Sequence, residues 1–128
     1  MKKVSCFYLD SPYTTDQYSR FYHILETVCR YDNPSLSSKA KYRNNRAKSE
    51  FCYKRTVEFE FDKIIKFTAR LGAKLVISYS NHGVISVDKL LEICYRYYDN
   101  VELKEINYKH SSQGNGSIDI KEIVIILK

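Results

Sequence analysis

At 128 residues the chain has the length of one domain, enough to bury roughly two thirds of the surface its unfolded form exposes. Hydrophobic residues make up 44% and charged residues 28%, and no apolar run approaches the ~20 residues that span a bilayer. The stretch after Met1-Lys2-Lys3 is too short for a signal peptide, so cytoplasmic residence is expected, while the net charge of +6 admits an anionic partner without naming one.

In chain order, residues 4 to 9 read as a strand that ends in Asp10-Ser11-Pro12-Tyr13. An acid, a proline and an aromatic thus sit at the carboxyl end of a strand, where open α/β sheets bind ligands. Thr14 or Thr15 is a suitable helix cap, and Tyr18, Phe21, Tyr22, Leu25, Val28 and Cys29 then recur at helical spacing. Asn33-Pro34 stops that helix. Residues 33 to 49 are rich in Ser, Asn, Lys and Arg and read as a mobile loop. Val57 to Leu71 begins with strand-like alternation but carries the stripe Phe61, Ile64, Ile65, Thr68 and Leu71, which predicts a helix ended by Gly72. A strand over 74–80 follows, then a helix capped by Ser86 with Val87, Leu90, Leu91, Cys94, Tyr95 and Tyr98 as its stripe. Strands over 101–108 and 118–127 flank a loop at 111–117.

Strands alternating with helices predict a parallel sheet, and the last two strands, lacking a helix between them, pair antiparallel. The class is therefore α/β with a mixed sheet. Only three residues precede the first strand, leaving one of its edges open. Such an edge calls for a partner chain, a homodimer or an upstream segment.

Cys6, Cys29, Cys52 and Cys94 are scattered, with no Cys-x-x-Cys and no histidine at ligand spacing. They predict reduced, mostly buried thiols and no metal site. His23, His82 and His110 have no partner at catalytic spacing. Lys39, Lys41, Arg43, Arg46 and Lys48 fall within ten residues without an acid. With Tyr42 among them they read as a phosphate-contacting surface with one stacking ring, or as a solvated loop. Arg20 is a weaker candidate of the same kind. In a parallel sheet Tyr79 and Asn81 end the second strand at the same sheet edge as Asp10, and they read as candidates to line a pocket there or as an ordinary strand end with an Asn turn.

Leu9-Asp10-Ser11-Pro12-Tyr13, Gln17-Tyr18-Ser19-Arg20-Phe21-Tyr22, Tyr31-Asp32-Asn33-Pro34, Lys41-Tyr42-Arg43 and Ile77-Ser78-Tyr79-Ser80-Asn81 with Gly83 occur in a telling order. Tyr108-Lys109-His110-Ser111, Gly114 and Lys121-Glu122-Ile123 complete it. In this the chain resembles, over nearly its whole length, the D12-class (Dam-like) DNA adenine-N6 methyltransferases. The resemblance implies the second half of a class I (Rossmann-like) methyltransferase sheet, with residues 1–128 a partial domain. That family's Gly-rich cofactor loop precedes the acidic motif, and no such loop occurs in this sequence. The expectation is therefore a split or partial enzyme, inactive alone, that acts on DNA with S-adenosylmethionine.

Carried over, Asp10 and the Ser11 carbonyl accept hydrogen bonds from the adenine amine. Pro12 restricts Ser11 to extended conformations, and Tyr13 stacks on a base flipped from the helix. Asp10 and Tyr13 also border the cofactor. Ser11 stands where the family has proline; the carbonyl acceptor survives, with less rigidity. Two alternatives stay open: a non-catalytic DNA-binding or interaction module of the same ancestry, and a methylase of RNA or of protein amide nitrogen.

Overall fold

The computed structural model describes residues 4–37, 39, 41–107 and 121–128. The elements run β1 (Cys6–Asp10), α1 (Tyr18–Phe21), α2 (His23–Arg30), a 3-10 turn (Glu50–Cys52), α3 (Val57–Arg70), β2 (Lys74–Ser80), α4 (Val87–Tyr95), β3 (Val101–Asn107) and β4 (Lys121–Leu127). The expected loop at 111–117 and the start of the last strand at 118–120 lie outside the described residues.

The sheet order is β1-β2-β4-β3. β1 pairs parallel with β2, and β4 pairs antiparallel with both β2 and β3. A mixed α/β sheet with an antiparallel closing pair is thus present, and it is compatible with a methyltransferase fold. Element order alone did not place β4 between β2 and β3. Local pairing with β3 leaves the other edge of β4 free to zip along β2. Among the described residues β1 has a single strand neighbour, so its outer edge is open.

Pleat alternation sorts the strands into two faces. Phe7, Leu9, Leu75, Ile77, Tyr79, Ile123, Ile125 and Leu127 turn to the side covered by α3 and α4 and join Phe61, Ile65, Leu90 and Ile93 in the core. In α3 the buried residues Val57, Phe61, Ile65 and Thr68 follow the helical period, which over fourteen residues outweighs the strand-like start. Gly72 takes φ +60°, and Ala73 N–H bonds to the Thr68 carbonyl while Gly72 N–H bonds to that of Ala69. This paired closure requires the left-handed residue after the helix that glycine supplies without strain. In α4 the Ser86 hydroxyl accepts from Lys89 N–H, as its position predicts.

The segment after the motif departs from expectation. One helix capped by Thr14 or Thr15 is replaced by two short helices meeting at Tyr22, and Gln17 takes the capping position without a side-chain cap bond. Neither helix contains a buried residue; Phe21, Leu25 and Val28 are 62%, 63% and 68% exposed. The apolar stripe is real but covered by nothing among the described residues.

The cysteines divide evenly rather than being mostly buried. Cys6 and Cys29 are exposed, whereas Cys52 and Cys94 are buried. Burial raises the Cys52 thiol and pushes Cys94 up to about 12, so almost none of Cys94 is thiolate at pH 8, and both sulfurs are shielded from reagent. An aromatic disulfide reagent at pH 8 is expected to titrate two thiols promptly and the other two only in denaturant; four prompt equivalents would contradict the packing of α4.

Candidate base-orienting and nucleic-acid site

β1 delivers Asp10 to the carboxyl end of the sheet, in register with Ser78 of β2. Asp10 lies with Cys6 and Tyr8 on the exposed face, opposite Phe7 and Leu9. On the same face, Ser78 Oγ donates to Glu122 Oε1 at 3.0 Å, so two carboxylates and a hydroxyl gather near this strand end. Ser78 and Glu122 escaped notice as site residues because only strand register brings β4 against β2 here.

Ser11 turns inward and is 2% exposed, and its hydroxyl has no hydrogen-bond partner among the described residues. Removing an unsatisfied buried hydroxyl relieves a cost of about 1–3 kcal/mol. Ser11→Ala is therefore expected to raise the melting temperature by a few degrees while keeping the carbonyl acceptor. A lowered melting temperature would show the hydroxyl to be bonded.

Tyr13 is 41% exposed, and its carbonyl accepts Val84 N–H at 3.0 Å, tying the motif to the loop after β2. That loop rests on Tyr79, whose placement corrects the sequence reading. Tyr79 is 1% exposed, points into the core, and meets Phe61 edge-on at 5.5 Å and 89°. Burial pushes its hydroxyl pKa up, and its oxygen accepts Ile85 N–H at 3.1 Å. It is a post behind the loop, not a pocket wall, because it lies one pleat out of phase with Asp10. A Cβ on Gly83 would fall 2.2 Å from this ring, so the loop passes where only glycine fits. Asn81 also has structural work: its Oδ1 accepts Lys121 N–H at 3.0 Å and its own N–H donates to the Lys121 carbonyl.

The basic segment is closed rather than featureless. Leu36 and Arg43 form an isolated antiparallel bridge, with Ser37 N–H on the Tyr42 carbonyl and Asn44 N–H on that of Ser35. Arg43 is 1% exposed, forked onto both carboxylate oxygens of Asp32 at 2.5 Å and bonded to Thr27. Its place as a solvent-facing phosphate contact is therefore corrected: it anchors the loop to α2. That guanidinium holds the Asp32 carboxyl below its usual value, so the pair's contribution is lost only as pH falls below the ordinary carboxylate range. Arg46 lays its guanidinium over Tyr42 at 4.0 Å, with Arg20 on the same ring at 6.0 Å, so Tyr42 is already engaged. Lys39, Lys41 and Lys48 remain exposed to solvent.

A second clamp joins this segment to α1. The Gln17 side-chain amide donates to the Ser49 carbonyl at 3.1 Å and accepts Ser49 N–H at 2.6 Å. Ser19 bonds to the Ala47 carbonyl, and Cys52 Sγ to that of Asp16. Sequence reading assigned no role to Gln17 or Asp32, whose partners lie 32 and 11 residues away. Tyr18 lies within electrostatic reach of Tyr13 and Asp10; partial burial, then these neighbours, raise its hydroxyl pKa. Among the described residues no group of three or more His, Cys, Asp or Glu side chains is placed to hold a metal ion, and no helix is long and apolar enough to cross a membrane.

No family model matches the sequence, and no solved structure matches it. Curated proteins do. Modification methylase LlaI of Lactococcus lactis subsp. lactis is 34% identical over 131 positions, covering 94% of this chain and 20% of that protein. Modification methylase StsI of Streptococcus sanguinis is 30% identical over 128 positions, covering 98% of this chain and 19% of its own length. Type II methyltransferase M.NlaIII of Neisseria lactamica is 31% identical over 110 positions, covering 84% of this chain and 32% of that protein. The chain thus spans a fifth to a third of the length of these relatives.

Proposed function

We propose, from the premise that the chain belongs to the type II modification methylases as a segment of their sequence, that it orients the exocyclic amine of adenine in DNA for methylation at N6. The observation that carries this reading is Asp10, an exposed carboxylate at a strand end, with the half-exposed ring of Tyr13 three residues on.

The amine's lone pair is delocalised into the ring. Asp10 accepts one of its N–H bonds and the Ser11 carbonyl the other, drawing density back to nitrogen. Tyr13 offers its face to the flipped base, a contact worth ~1–3 kcal/mol. The anchor of the Tyr13 carbonyl on Val84 N–H holds that ring's backbone in place. Lys39, Lys41 and Lys48 give salt-dependent hold on the phosphates. S-adenosylmethionine, when bound, supplies an electrophilic methyl group on a sulfonium. The exposed carboxylate of Asp10 and the ring of Tyr13 fit a place beside such a cation and would border it from this chain's side.

Label from methyl-labelled S-adenosylmethionine, recovered from unmethylated DNA after digestion to nucleosides, tests the reading, with the chain replacing the matched stretch of Modification methylase LlaI as the catalyst. N6-methyladenine is the expected product. Label in another base, or only in RNA or peptide amides offered in parallel, would overturn it.

A further inference from the structure

We propose that Tyr18 and Tyr22 form a stacking strip for unpaired nucleobases, leading from the Asp10–Tyr13 motif along α1; this rests on the reading of the chain as a DNA-modifying segment and adds where the neighbouring bases go. The two rings stand one helical turn apart, with centroids 6.2 Å apart and planes inclined by 25°. Tyr18 is 48% and Tyr22 57% exposed, against 41% for Tyr13. Twice the ~3.4 Å rise between bases is about 6.8 Å. The ring spacing falls short of that, so bases lie on the free faces of the strip and not between its rings.

Two further observations point to a nucleic acid and not to an apolar polypeptide. The strip is held still: the Gln17–Ser49 pair and the Ser19–Ala47 bond fasten α1 to the basic segment although no residue of α1 is buried. The surface it adjoins is cationic. Arg20 lies on α1 but is paired with the exposed Asp16 carboxylate at 3.1 Å, so the charge left unpaired among the described residues comes from Lys39, Lys41 and Lys48, which are exposed on the clamped segment. Aromatic faces beside a cationic groove are how single strands are held without sequence preference. The aliphatic surface of Ile24, Leu25 and Val28 lies on α2 and is no part of the strip, while the exposed Phe21 on α1 adds a further aromatic ring beside it.

Fluorescence anisotropy of a labelled oligothymidylate titrated with the full chain tests this. Tyr18→Ala with Tyr22→Ala is expected to weaken binding roughly 5- to 100-fold, and Tyr18→Phe with Tyr22→Phe to stay within about twofold. Tyr18→Leu with Tyr22→Leu keeps apolar area without a π-face and is expected to lose affinity like the alanine pair. The salt slope should not change in any of them, since no cation is removed. No measurable binding by the unaltered chain would overturn the proposal, as would an alanine pair that binds normally or a leucine pair that binds like the phenylalanine pair. So would loss of a dimer, by sedimentation, in the alanine pair without loss of oligonucleotide affinity, which would make the strip a contact between copies. Circular dichroism checks that each variant folds, and a leucine or alanine pair that fails to fold would overturn the surface placement of the strip. Loss of stacking affinity in the alanine pair, with no N6-methyladenine formed when the chain replaces the matched stretch of Modification methylase LlaI, would support the strip while sinking the methylase reading.

Discussion

Asp10→Ala is expected to lower methyl transfer to adenine by about 10²–10³-fold while leaving DNA affinity within about twofold, the scale seen when one hydrogen-bonding group aimed at developing charge is removed. The amine's protons become more acidic as nitrogen gives up its lone pair, so on the proposed reading the bond to Asp10 strengthens on the way to the transition state. An interaction of that kind raises kcat and leaves substrate binding little changed. Asp10 lies on the exposed face of β1, so its loss should not disturb the core. Asp10→Asn keeps an amide oxygen as acceptor and should fall between. Single-turnover transfer of labelled methyl is the measurement, made on the chain and on a chimera in which it replaces the matched stretch of Modification methylase LlaI. An Asp10→Ala chimera as fast as its parent would remove Asp10 from the chemistry, whatever the chain does alone.

Phe61→Ala should have the largest effect on stability. Phe61 is 0% exposed and has Phe51 and Tyr79 edge-on at 5.1 and 5.5 Å. Truncating a buried phenylalanine costs about 3–5 kcal/mol, a large share of the ~5–15 kcal/mol that holds a domain together. The melting temperature should drop by roughly 10–20 °C. Phe59→Ala, two residues away but 66% exposed, should change stability by less than about 0.5 kcal/mol. The loss at Phe61 should also reach the site. Tyr79 would lose the ring that braces it, and the Gly83–Ile85 loop that holds the Tyr13 carbonyl rests on Tyr79. Thermal unfolding of the two variants side by side decides it; equal melting temperatures would mean that the stripe of α3 is not what the core is built on.

The sequence by itself determined the elements whose signals are local and mutually consistent. The period of α3, the glycine after it, the Ser86 cap and the apolar run of β2 each stand within a few residues of the structure they specify. The same holds for the motif at the end of β1, because a strand that stops at Asp10-Ser11-Pro12-Tyr13 places its acid at the sheet's edge whatever packs around it. The break at Tyr22 was hidden, since a helical stripe says which side of a helix is apolar but not whether anything covers it. Tertiary structure alone decided which cations are free. Arg43 and Lys41 look alike in a run of bases, yet one is locked onto Asp32 and the other faces water, because an ion pair across eleven residues depends on where the chain returns. It also decided that Tyr79 supports the site from behind while Asp10 faces outward. Strand alternation makes neighbouring residues face opposite ways, and only the register of β1 against β2 says which of them shares a face with Asp10.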